Sequence, residues 1–97
     1  MKADFHRRLD RIVSAIKQYH PTKIVLFGSR ARGDAKPNSD IDIAVDGHFS
    51  FRQRRKLKES ADEAGGLYSV DIVFYDRIEE HLLHNIEQEG KVLYEKE

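Results

Sequence analysis

Gly28-Ser29, followed by Ser39-Asp40-Ile41-Asp42, sets a small-residue turn a short loop away from two carboxylates of the same parity. Side chains at i and i+2 of a strand share a face, with backbones roughly 6–7 Å apart, so Asp40 and Asp42 can converge on hard cations. Magnesium favours such oxygen ligands together with substrate phosphates. A divalent ion also removes the repulsion between two ionised carboxylates held close together. Glycine lets a backbone approach a phosphate, and a serine opening a helix offers its hydroxyl beside free N–H groups. An Asp-x-Asp alone usually marks a solvent-facing edge, and a Gly-Ser alone usually marks a turn. Both together, with a strand on either side, describe metal-assisted nucleotidyl transfer. Asp71, isolated among Val70, Ile72, Val73 and Phe74, is the candidate third carboxylate, completing a metal shell or taking a proton from an attacking hydroxyl.

The elements that must position these groups follow from periodicity. Phe5, Leu9, Ile12, Val13 and Ile16 recur at helical spacing over about 4–19, and Pro21 stops that helix. Lys23–Phe27 reads as a central strand covered on both faces. A short helix capped by Ser29 should run to about Asp34, and a strand begins at Asp40. Ile41, Ile43 and Val45 give that strand an apolar face opposite Asp40, Asp42 and Ala44. Ser50 with Gln53 is a capping-box pattern for a helix that Gly65-Gly66 ends. Tyr68–Tyr75 reads as a third strand. Asp76 with Glu79 is expected to cap a last helix carrying Ile78, Leu82, Leu83 and Ile86, with Gly90 closing it and Val92–Tyr94 as an edge strand. The order α-β-α-β-α-β-α-β predicts an α/β (α+β) fold, a small mixed sheet of about four strands flanked by helices, as one domain over residues 1–97.

Composition narrows the function. Lys plus Arg and Asp plus Glu both number 17, so no net field steers the chain toward a polyanion, and sustained nucleic-acid binding is not expected. There is no cysteine, which excludes disulfides and thiolate chemistry. The charged opening Met1-Lys2-Ala3-Asp4 and the lack of an apolar run near 20 residues predict a soluble, cytoplasmic protein without a membrane span. At 97 residues there is no room for an acceptor-binding lobe, so the acceptor must bring its own docking surface. Arg30 and Arg32 are candidate fork-shaped phosphate donors, with pairing to Asp34 or Asp40 an equal reading for Arg32. The basic run Arg52, Arg54, Arg55, Lys56 and Lys58 could contact a nucleotide, RNA or an acidic partner, with a solvated helix face the favoured reading, and His81 and His84 read as surface histidines without further ligands to complete a zinc set.

Gly28-Ser29, Ala31-Arg32-Gly33 and Ser39-Asp40-Ile41-Asp42 together resemble the motif of the DNA polymerase beta-like nucleotidyltransferase superfamily, and the short length matches its minimal nucleotidyltransferase (MNT) branch. The resemblance is strong over about 23–46 and weaker out to Asp71. It implies that Gly28 and Ser29, with Arg30 beside them, hold the triphosphate of ATP, and that Asp40, Asp42 and Asp71 are the catalytic, magnesium-binding carboxylates. It also implies a helical HEPN partner in a toxin-antitoxin pair, the MNT protein transferring AMP to a tyrosine of the toxin. The alternative function is a non-catalytic antitoxin that neutralises its partner by complex formation.

Overall fold

The computed structural model describes residues 2–97. Helix α1 (Lys2–Lys17) turns its apolar stripe of Leu9, Ile12 and Ile16 into the core. It ends two residues earlier than the periodicity suggests, because His20 takes a left-handed conformation (φ 59°) just before the buried Pro21. Strand β1 (Lys23–Phe27) follows, then the single-turn α2 (Ser29–Arg32), β2 (Ile41–Asp46), α3 (Phe51–Ala64), β3 (Val70–Phe74), a 3-10 turn (Tyr75–Arg77), α4 (Glu80–Glu89) and β4 (Lys91–Glu95). The alternating order expected from the sequence is the order observed. The capping box forms in full: Gln53 N–H donates to the Ser50 hydroxyl at 3.2 Å and Ser50 N–H to the Gln53 side chain at 2.8 Å.

The sheet order is β3-β2-β1-β4, antiparallel at β1–β2 and β1–β4 and parallel at β2–β3. Strand β1 is internal, as its unbroken apolar run predicted. The parallel pair needs a crossover, which α3 supplies. Because side chains alternate across each strand, the sheet has two cores. Ile24, Leu26, Ile41, Ile43, Val45, Ile72 and Phe74 pack against α1 and α3. On the other face Val25 and Ala44 meet Ile86 of α4, with Phe27, Val73 and Leu82 around them. Burying Ile86 there contributes about 1.5–3 kcal/mol toward seating α4. The face assigned to carboxylates is therefore greasy in its middle, and its polar character is confined to one end.

Two local expectations are corrected. The N-cap of α2 is Gly28 rather than Ser29, and no side chain caps it. Asp76 does not cap α4: Glu79 holds the N-cap position with no side-chain bond, because Asp76 is drawn into a two-pronged pair with Arg54 at 2.9 and 2.6 Å. A two-bond carboxylate–guanidinium fork outweighs a single cap bond to a backbone N–H. No described helix is long and apolar enough to cross a membrane.

Candidate functional site

The polar end of the second sheet face is where β1 runs out and β2 and β3 begin. Asp42 lies opposite Phe27 on one side and opposite Asp71 on the other. In-register neighbours point to the same face, so the two carboxylates from separate strands stand side by side. Asp40 precedes β2 and is exposed, as is Asp71, while Asp42 is half-buried.

Gly28 follows Phe27 directly and places the turn over the carboxylates. Its backbone (φ 76°, ψ −157°) lies in a region that only glycine adopts without strain. A Cβ there would stand 2.5 Å from Asp42 Oδ2 and 3.3 Å from its Cγ. The turn and the second Asp are thus in van der Waals contact through the missing side chain. Ala31 N–H and Arg32 N–H both donate to Gly28 O at 3.1 Å, which fixes the turn. No side chain caps the turn.

Electrostatics single out Asp42. Burial pushes its carboxyl above the ordinary range, Asp71 and then Asp40 push it further, and Arg32 pulls the other way. Three acids therefore act on one another across the strand ends. They are not drawn together into a ready cage: among the described residues no group of three His, Cys, Asp or Glu is set to hold a metal. The donor set still suits a hard divalent ion, being all carboxylate oxygen with one member held against two like charges.

The two arginines of the motif have different surroundings. Arg30 reaches toward the loop before Asp40. Its guanidinium lies 4.9 Å from the Phe5 ring centroid and 5.1 Å from that of Tyr68, and its NH2 group donates to Ser39 O at 2.9 Å and Pro37 O at 3.2 Å. Its Nε is buried without a partner. The physical reason is that an edge-to-face pair of aromatic rings and two carbonyls solvate a guanidinium better than an open turn. Arg32 donates to Asp34 at 3.2 Å and to Glu89 of α4 at 2.8 Å, the first partner expected and the second not. Phe5, Tyr68 and Glu89 carry no sequence signal for these roles, since each comes from a remote element.

Comparison with known proteins gives a consistent picture. The polymerase beta nucleotidyltransferase family matches residues 10–97. A Methanocaldococcus jannaschii protein named as a protein adenylyltransferase is 30% identical over 96 residues, covering 91% of this chain and 96% of its own. A Haemophilus influenzae protein, named as the protein adenylyltransferase MntA, is 34% identical over 73 residues; these are 73% of this chain and 64% of that relative. Among solved structures, a toxin-antitoxin crystal structure with AMP-PNP superposes with a TM-score of 0.76 at 28% identity, covering 91% of this chain and 73% of the other.

Proposed function

Because the chain belongs to the polymerase beta nucleotidyltransferase family, we propose that it transfers AMP from ATP to an acceptor hydroxyl, a tyrosine of a HEPN-type partner, and so acts as an antitoxin. The observation that carries this reading is the register of Asp42 against Asp71 with Gly28 packed on the Asp42 carboxylate. That contact brings a phosphate-tolerant turn and paired acids to one place. The names of the relatives, protein adenylyltransferases, and the AMP-PNP in the related toxin-antitoxin crystal support the nucleotide and the partner class.

In this mechanism the Gly28-Ser29 turn seats the triphosphate through backbone N–H groups and the Ser29 hydroxyl. Asp40, Asp42 and Asp71 would hold magnesium, which when bound supplies charge neutralisation at the phosphates and Lewis-acid polarisation. Asp71, exposed at the edge strand, accepts the proton of the acceptor hydroxyl. The hydroxyl oxygen forms a bond to the α-phosphorus as the bond to the pyrophosphate oxygen breaks. Arg32, whose charge already reaches Asp42, can exchange its exposed pairs with Asp34 and Glu89 for a phosphate oxygen.

The test is incubation with α-labelled ATP, magnesium and the protein encoded beside this chain. Label should pass to the partner and disappear with Asp42→Asn. Absence of transfer from the wild type would remove the catalytic account. A second reading is an antitoxin that works by binding alone, supported by the likeness to a chain crystallised in a toxin-antitoxin structure. In that case Asp42→Asn would neutralise the partner as well as the wild type does.

A further inference from the structure

At the far end of β3 from Asp71, a groove of about 200 Å³ is lined by Phe51, Arg54, Arg55, Lys58, Phe74 and Arg77. It contains four cationic side chains and no acidic one, in a chain whose net charge is zero. Phe51 stands 77% exposed at its lip, and the ring of Phe74 forms the floor, with Arg54 at 4.7 Å and Lys58 at 5.8 Å from its centroid. Only Arg54 has an ion-pair partner, Asp76; Arg55, Lys58 and Arg77 are in none of the ion pairs among the described residues.

The placement is costly to the free protein. Helix α3 has no acidic residue in its first turn, where Arg52 and Arg54 sit at the positive pole of the helix dipole, and Arg55, Lys56 and Lys58 follow in the next turn. Anions are favoured at that pole and cations are not. An incoming group of negative charge would relieve the repulsion. An apolar floor with an exposed phenylalanine asks for one buried anchor as well, and the Arg54–Asp76 fork shows a carboxylate paired with one of the lining arginines.

We propose that the groove between α3 and the end of β3 docks an acidic protein segment, one apolar side chain seated between Phe51 and Phe74 and its carboxylates paired with Arg55, Lys58 and Arg77. Single-stranded nucleic acid fits less well: one exposed ring offers no succession of stacking platforms. Phe74 lies three residues beyond Asp71, roughly 10 Å along the same edge strand and on the opposite face of the sheet, so a partner held here reaches the acids only by passing around the β3 edge. The inference rests on the reading that the chain acts on a protein partner, and it adds where that partner is gripped.

The test uses no nucleotide, so its failure and that of AMP transfer are separable. Labelled protein is titrated in an NMR experiment with a 12-residue helical peptide carrying glutamates around one leucine, with the same peptide in which glutamine replaces glutamate, and with oligo-uridine. Shifts should centre on Phe51, Arg55, Lys58, Phe74 and Arg77 for the acidic peptide alone, with affinity falling at least tenfold in Arg55→Glu/Lys58→Glu. Both positions are exposed, and an unchanged spectrum away from α3 checks that the variant is folded. Phe51→Ser, which removes the anchor contact and no charge, should weaken binding too. Equal binding of the glutamine peptide, no shifts at the groove, or preference for oligo-uridine would each overturn the proposal.

Discussion

Asp42 and Asp71 occupy paired positions on adjacent parallel strands, so the half-buried carboxyl of the first faces a second acid across the β2–β3 seam. Their repulsion, added to burial and to Asp40, raises the Asp42 carboxyl above its ordinary range. A charge held in that position weakens the free fold and serves only once a cation arrives. Asp42→Asn should therefore raise the melting temperature of the metal-free protein by a few degrees, the scale on which about 1 kcal/mol moves a domain of this size. The same change should reduce transfer by about 100-fold or more, since metal-assisted charge stabilisation is worth several kcal/mol. Calorimetry and a label-transfer assay on one preparation check the opposite signs; a destabilised variant would show that the acids do not repel one another.

Gly28→Ala adds a methyl group where Asp42 Oδ2 stands 2.5 Å away, in a backbone conformation alanine avoids. Strain of that kind costs about 1–3 kcal/mol, and either the turn or the carboxylate must move. Melting temperature should drop by something on the order of 10 °C, with transfer abolished. Gly33 also has positive φ (87°), yet a Cβ there meets nothing within 4 Å. Gly33→Ala should therefore lose about 1 kcal/mol and keep its activity, and equal loss in both variants would refute the special contact at Gly28.

The sequence makes the elements legible where they obey local rules. The capping box at Ser50 and Gln53, the apolar run of β1 and the two-residue alternation of β2 depend on neighbours in the chain, and each element stands where those rules put it. Asp71 is conspicuous as a charge in an apolar strand, but its register with Asp42 depends on the path of α3, which pairs residues far apart. Ala44 shares a parity with Asp42 and still lies buried, because α4 covers the middle of that face through Ile86. Asp76 has the look of a helix cap until Arg54, 22 positions earlier, is brought beside it. The aromatic pair against Arg30 draws on α1 and on the loop before β3, so nothing within its own motif announces it.

Arg30 divides two roles that a kinetic experiment can separate. Its NH2 group holds the Pro37 and Ser39 carbonyls, which places the loop delivering Asp40. Arg30→Lys keeps the charge and loses the planar group that reaches both carbonyls while lying against Phe5 and Tyr68, so it should destabilise by about 1.5–3 kcal/mol, the worth of a charge-assisted hydrogen bond, and lower kcat with KM for ATP nearly unchanged. A rise in KM for ATP with kcat preserved would instead return Arg30 to the phosphate.

The Arg54–Asp76 pair yields a pH dependence of definite sign. Hydrogen bonds from Arg54 hold the Asp76 carboxyl below its usual range, and the nearby charges of Arg54 and Arg77 act in the same direction. A folded-state value below the unfolded one, about 3.9, means that the ionised form favours the fold. This contribution is complete above the unfolded value and fades as pH falls through the lower folded one. Asp76 is 58% exposed, so the effect is modest and screened by salt. The urea midpoint of Asp76→Asn should lie below that of the wild type by a constant amount from pH 8 to about 5, and the two should converge as pH drops below about 4. Convergence on the alkaline side would mean that a cation, rather than this carboxylate, is the group being titrated.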